Sequence, residues 1–130
     1  MKKLIIIVSL WLCVGVVSAF AENQKGNFSD SQICMAAIAL MNGHPPVYDR
    51  VSSVKNEVTL HYTRNRDNRK FIYGCHLSGS EVKWRLHPQS TWSKNNQLFF
   101  AVNGNSVSIR QVVLRETVDS KTFQIGELQQ

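Results

Sequence analysis

The densest chemistry in the sequence is a run of basic residues. Arg64, Arg66, Arg69 and Lys70 follow one another closely, and Asp67 is the one acid among them. Guanidinium and ammonium groups attract phosphates and carboxylates, so residues 64–70 suit an anionic partner. A solvated hairpin that carries charge to keep its edge from pairing has the same composition, and that alternative stays open.

Two further cations and a tryptophan extend this candidate surface. Lys83 and Arg85 fall on the outward side of a predicted strand, so the positive charge would continue across the sheet. Trp92 lies between predicted strands, where it either packs over the end of the sheet or stands exposed as an interface anchor. The candidate binding residues are therefore Arg64, Arg66, Arg69, Lys70, Lys83, Arg85 and Trp92.

The residue types that catalyse reactions or bind metals are present but scattered. The histidines, His44, His61, His76 and His87, stand apart instead of at the close spacing of metal ligands. The sequence contains no Gly-x-Ser-x-Gly nucleophile motif and no glycine-rich phosphate loop. We therefore predict no catalytic residue, no metal site and no cofactor, and a hydrolase without a recognisable motif is the alternative.

The N-terminus has the three zones of a secretory signal peptide. Lys2 and Lys3 precede an uncharged apolar run, and Ala19 and Ala21 supply small residues for cleavage after residue 21. A retained membrane anchor is the alternative, but the apolar run is shorter than the roughly 18 residues that span a bilayer. Cleavage removes two of the charges that make up the net charge of +6. We predict a periplasmic or secreted protein with no stable membrane span after cleavage.

The cysteines predict one disulfide. Cys13 leaves with the signal peptide, so Cys34 and Cys75 remain as a pair in an oxidising compartment. A bond between them closes a loop of about 41 residues and contributes about 4 kcal/mol to stability. A redox-active pair is the alternative, but such pairs favour the Cys-x-x-Cys spacing that is missing here.

One helix is predicted after a flexible arm at residues 22–28. Ser29 and Gln32 have the spacing of a capping box, in which each side chain accepts a backbone N–H of the other residue. Apolar residues then recur at helical spacing over residues 33–41. Gly43 and the two prolines that follow it end the helix.

The rest of the chain alternates with a period of two, in short runs separated by turn residues. Runs of this kind predict an antiparallel β-meander, with a last edge strand at residues 122–125. Cys75 falls on the apolar side of its strand, so its bond to Cys34 would clamp the helix to the inner face of the sheet. The predicted fold is α+β: residues 29–130 form a single domain with one N-terminal helix on a curved meander of five to six strands.

Several short segments share a pattern with one protein family. The helix has a Cys-x-Ala-x-Ile pattern that begins at Cys34. Gly43 and Pro46 follow at the end of the helix. The later segments are His61-Tyr62, Cys75, Val82-Lys83-Trp84, Trp92 and Val107-Ser108-Ile109-Arg110. In these features the chain resembles a family of small exported bacterial proteins of unknown function. The resemblance implies export and the helix-plus-meander architecture, and it implies no activity.

Together these patterns predict a small exported binding module that recognises another protein of the bacterial envelope. A binder of envelope polyanions, acting through the same basic hairpin, is the alternative. The expected partner is accordingly an unidentified envelope protein or an anionic polymer. Salt separates the two hypotheses, because polyanion binding falls steeply with ionic strength whereas a protein interface keeps one partner.

Overall fold

The computed structural model describes residues 24–129. The described chain begins with one α-helix and continues as β-strands that end in a short 3-10 helix. The elements are α1 (Asp30–Asn42), β1 (Arg50–Val54), β2 (Glu57–Thr63), β3 (Lys70–Ser78), β4 (Glu81–Leu86), β5 (Asn96–Asn103), β6 (Ser106–Val113), β7 (Glu116–Gln124) and the 3-10 helix (Ile125–Leu128).

The strands form one antiparallel sheet in which each strand pairs with the next in sequence, from β1 to β7. The helix-plus-meander architecture is therefore confirmed. The predicted number of strands is wrong, because the described residues contain seven strands and not five or six. β7 overlaps the edge strand predicted at residues 122–125 but begins earlier, at Glu116. Phe123 is its only buried side chain, so most of the strand carries no alternating pattern.

Local sequence signals define both ends of α1. The Ser29 hydroxyl accepts the Gln32 backbone N–H, and the Gln32 side chain accepts the Ser29 N–H, as the capping box predicts. Gly43 ends the helix with φ of 68°, in the left-handed region that glycine enters without steric cost.

The helix is buried on all sides. Every residue from Ile33 to Leu40 is buried, although the sequence predicts one apolar face. The sheet curves far enough for α1 to contact all seven strands. The remaining side is covered by residues outside the sheet: Phe28, Tyr48 and Leu128 are buried in the same core, and the Tyr48 hydroxyl donates to the Met35 carbonyl at 2.6 Å. A helix that is apolar all round belongs in such an interior position.

The disulfide between Cys34 and Cys75 is confirmed, and both residues are fully buried. It joins the centre of α1 to the inner face of β3, across 41 residues of sequence. The helix therefore has a covalent link to the middle of the sheet.

The predicted signal peptide, residues 1–21, lies outside the described residues. Within residues 24–129, α1 falls short of the length and apolar character that a membrane-spanning helix needs. Phe28, at the end of the predicted arm, is buried in the core, so the ordered packing begins before the helix does.

Candidate binding site

The candidate binding residues separate onto two faces of the sheet. The hairpin connecting β2 and β3 carries Arg64, Arg66 and Arg69, and it lies at the end of the sheet next to the C-terminus of α1. Arg85 lies on the outer face of β4, opposite Gly74 of β3. The continuous basic surface expected from the sequence is therefore divided into two clusters with different surroundings.

The first cluster borders an open cleft of about 460 Å³ at the end of the sheet. We call it the aromatic-basic cleft, because aromatic side chains and arginines line it together. One wall is the segment that follows α1, and the other is the end of the β2–β3 hairpin. Its lining residues are Asn42, Gly43, His44, Pro45, Tyr62, Arg64, Asn65, Arg66, Phe71 and Tyr73.

The helix terminus positions His44 against the aromatic wall. The turn at Gly43 directs the next residue back towards β2, where the His44 ring stacks on Tyr62 with 3.8 Å between centroids and 10° between planes. His44 Nδ1 lies 2.6 Å from the Pro45 carbonyl oxygen and Nε2 is buried without a hydrogen-bond partner in the described structure. Burial lowers the pKa of His44, so the ring is neutral at neutral pH.

Arg64 is held in place by two contacts within its own hairpin. Its guanidinium donates two hydrogen bonds to Asp67, at 2.9 and 2.6 Å, and lies 5.1 Å from the centroid of the Phe71 ring. The hydrogen bonds from Arg64 lower the pKa of Asp67 to about 2. The charge of Arg64 is thus largely matched by Asp67, and its main contribution is to shape the wall of the cleft.

Arg66 differs from Arg64 although it lies two residues away. It lines the same cleft, its side chain is exposed, and it forms no ion pair with any residue in the range 24–129. At the base of the cleft Asn42 donates to the Tyr73 hydroxyl at 3.0 Å, which links α1 to β3. Arg66 therefore supplies an unmatched positive charge beside a fixed, partly apolar surface.

Arg69 and Lys70 lie at the other side of the hairpin. The Arg69 guanidinium is 5.8 Å from the Phe71 centroid, so it flanks the same ring that Arg64 contacts. Lys70 pairs with Thr63 in the ladder and is exposed. Arg69 therefore adds charge beside the cleft without lining it, whereas Lys70 has the same strand parity as Gly74 and belongs to the outer face of the sheet.

The second cluster lies on the outer face of the sheet, and its side chains contact one another. Arg85 forms hydrogen bonds of 2.9 to 3.2 Å with both carboxylate oxygens of Glu57, and its guanidinium lies 4.6 Å from the centroid of Trp92. Trp92 is half-buried and meets the His76 ring edge-on at 4.4 Å. Trp92 thus packs on the outer face of the sheet, which is neither of the two positions expected from the sequence.

Gly74 makes this packing possible. A Cβ atom at position 74 would lie 2.2 Å from a Glu57 carboxylate oxygen and 3.1 Å from Arg85 Nε. No real side-chain atom tolerates the first distance, so the ion pair occupies the space that glycine leaves. Lys83 stands on the same face, where its ladder partner is His76.

The aromatic residues that form the cleft together with the basic hairpin were not predicted from the sequence. Alternation places Tyr62, Phe71 and Tyr73 on the inner face of the sheet, but it cannot show that this face ends beside His44. The useful signal was His44 itself, because a histidine directly after the helix-ending glycine must lie where the chain turns back towards the sheet.

The described residues form two clusters of charged and aromatic side chains. Among residues 24–129, no three His, Cys, Asp or Glu side chains come together as a possible metal site. Comparison with protein-family models, curated proteins and solved structures finds no match in any of the three. The resemblance to small exported bacterial proteins therefore stays a prediction, and the chemistry of the cleft has to be argued from its own residues.

Proposed function

We propose that the protein is an exported binding module whose aromatic-basic cleft binds an acidic segment of another envelope protein. The observation that carries this proposal is the unmatched charge of Arg66 beside the stacked rings of His44 and Tyr62. Aromatic and arginine side chains are the residue types most enriched where protein interfaces concentrate their binding energy.

Charge matching within the protein favours a protein partner over an anionic polymer. A polyanion gains affinity in proportion to the number of unmatched cations it covers. Here Arg64 is matched by Asp67 and Arg85 by Glu57, and of the candidate cations without an ion pair Arg66 alone lines the cleft. A localised charge beside apolar walls suits one acidic side chain with apolar neighbours.

Contacts within the protein also fix the walls of the cleft, which favours a selective site. Its walls are held by the His44–Tyr62 stack, the Asn42–Tyr73 hydrogen bond and the Arg64–Asp67 pair. A surface that is ordered before binding loses little side-chain entropy when a partner docks.

The test is crosslinking of the tagged mature protein in living cells, followed by recovery from the envelope fraction. We compare the wild type with Arg66→Ser, and we use Arg110→Ser as the matched control. Arg110 is an exposed arginine on β6 that contacts the Phe99 ring away from the cleft. The proposal predicts one discrete protein with the wild type and the control, and at least roughly tenfold less with Arg66→Ser, since a lost charged contact costs about 1.5–3 kcal/mol.

Two results contradict the proposal. Recovery of lipopolysaccharide or another anionic polymer alone, lost in high salt and weakened equally by both variants, establishes polyanion binding in its place. Recovery of the same protein by wild type and Arg66→Ser in equal amounts shows that the partner docks elsewhere.

A further inference from the structure

β7 has one open edge, and a register shift at Val118 separates residues 116–117 of the strand from residues 119–124. β7 runs for nine residues and pairs with β6 on one side, while no strand of the described chain pairs with its other side. Most of its side chains are exposed. Exposed edges promote association unless charged side chains, proline, a bulge or a covering segment prevent it. The register shift at Val118 limits the edge that a partner strand could use to residues 119–124.

The direction of the backbone groups along β7 follows from three hydrogen bonds. The Ile125 N–H donates to the Asn105 carbonyl, so within residues 119–125, beyond the register shift at Val118, those of odd number direct their backbone groups towards β6. The N–H groups of Gln124 and Ser120 bond instead to the carboxylates of Glu127 and Asp119. Residues of even number from 120 to 124 therefore face the open edge, and Ser120 and Thr122 lie at its centre. A second strand can pair at Ser120 only if the Asp119 carboxylate releases the Ser120 N–H, which then donates to a carbonyl of that strand.

The charges of β7 are complementary to a second copy of the same strand. If two copies pair antiparallel with Ser120 opposite Ser120, each Asp119 faces Lys121 of the other chain. The two residues share a face of the strand, because Lys121 lies over the Phe123 ring on the inner side and residue 119 has the same parity. They also occupy a position without direct backbone bonding, where opposed side chains come closest.

Other registers lack this match. Shifting the pairing so that Lys121 lies opposite Lys121 puts two positive charges together, and a further shift to Thr122 leaves Asp119 opposite Ile125. The strand therefore selects one register by charge. The same arrangement gives a two-fold symmetric contact, in which every favourable pair occurs twice.

We propose that the protein forms a symmetric dimer through antiparallel pairing of the β7 edges, with Ser120 on the two-fold axis and Asp119–Lys121 ion pairs on either side of it. The dimer extends the sheet across both chains. It does not use Arg66, so it stands or falls separately from the proposed function of the aromatic-basic cleft.

The decisive experiment measures the mass of the mature protein by sedimentation equilibrium from about 5 to about 500 μM, a range that covers weak and moderate affinities. The wild type and Arg66→Ser are expected to dimerise with increasing concentration. Asp119→Lys and Lys121→Asp each turn two attractive pairs into two repulsive ones, so each is expected to weaken association by roughly tenfold or more.

Recombining the charges distinguishes specific pairing from damage to the fold. The double variant Asp119→Lys/Lys121→Asp exchanges the two charges and is expected to recover the dimer. A mixture of the two single variants is expected to form a heterodimer, because one chain then presents two lysines and the other two aspartates. Thr122→Pro removes an N–H that points to the open edge and not to β6, so it is expected to give a folded monomer.

The proposal fails if the wild type stays monomeric over the whole range, or if neither the double variant nor the mixture recovers association. A dimer that persists in Thr122→Pro also overturns it, because association then uses another surface.

Discussion

The protein contains two arginine–carboxylate pairs that look alike in composition and differ in what they connect. Arg64 and Asp67 lie three residues apart in the same turn, whereas Arg85 and Glu57 lie 28 residues apart on β4 and β2. The second pair spans β3 through the space at Gly74 and supports Trp92. The first shapes a local loop and leaves Arg66 free beside it. The difference shows that basic residues expected to form one surface can have two roles. Some stabilise the fold on one face of the sheet, and others remain available for binding at another place.

Loss of the disulfide should have the largest effect, because it removes the support that both clusters share. We expect Cys34→Ser/Cys75→Ser to lower the free energy of unfolding by about 4 kcal/mol, since the bond closes a long loop. Urea unfolding measures the loss, and reduction of the wild type should reproduce it. A loss below about 1 kcal/mol would show that packing around α1 holds the fold without the crosslink.

Gly74→Ala should come second and should act on the outer cluster alone. The new Cβ displaces the Glu57 carboxylate, so Arg85 loses its ion pair, and we expect about 1–2 kcal/mol of destabilisation in urea unfolding. Gly126→Ala is the control, because a Cβ there meets no atom within 4 Å. Equal stability of the two variants would mean that Glu57 relaxes freely and that the pair does not support Trp92.

Arg85→Ser and Arg66→Ser compare the two clusters directly. We expect Arg85→Ser to cost about 1 kcal/mol of stability, because Arg85 contacts both Glu57 and Trp92, and to leave partner recovery unchanged. Arg66→Ser should change stability by less than about 0.5 kcal/mol and should lose the partner. Thermal melts and the crosslinking assay measure the two properties. A reversed outcome would move the binding surface to the outer face.

The smallest effect concerns the pH dependence of the hairpin. The pKa of Asp67 lies at about 2 in the folded protein, below its ordinary value of 3.8. Because the folded pKa is depressed, the stabilisation is complete above about pH 4 and is lost as the pH falls towards about 2. NMR titration of the Asp67 carboxyl carbon should show this pKa, and Arg64→Ser should raise it towards 3.8. Arg110→Ser should leave it unchanged.

Local signals made most of the fold predictable. The helix start at Ser29, its end at Gly43 and the bond from Cys34 to Cys75 each depend on short-range chemistry or on the count of available partners. The glycine turns at Gly79 and Gly104 have positive φ and connect paired strands. These features depend on residue type more than on the surrounding fold, so the sequence alone indicates them.

The turn before β7 shows why most of this strand was not predicted. Leu114 and Arg115 both have positive φ, with values of 52° and 69°, although such two-residue turns favour Asn and Gly. The pairing of Val113 with Glu116 nevertheless forms. Neither a turn signal nor an alternating pattern marked this hairpin, so the sequence predicted only the end of the strand, at residues 122–125, and its start at Glu116 appears only in the assembled sheet.

The candidate site needed the assembled sheet as well. The sequence shows that Arg66 is basic and that His44 follows a helix-ending glycine. Their meeting at one cleft depends on how far the sheet curves around α1, which is a property of all seven strands together. The same holds for Gly74, whose role appears only when Glu57 and Arg85 meet above it.

The complete burial of α1 also governs how the protein opens. Amide hydrogens exchange with solvent at rates set by the opening that exposes them, and the slowest exchange only when the whole molecule unfolds. The helix is enclosed by the sheet together with Phe28, Tyr48 and Leu128, and it is linked to β3 through Cys75. Its amides should therefore report global unfolding, while those of the open β7 edge report local fraying. A molecule built around a central helix keeps its most protected segment in the middle and its least protected segment at the open edge of the sheet.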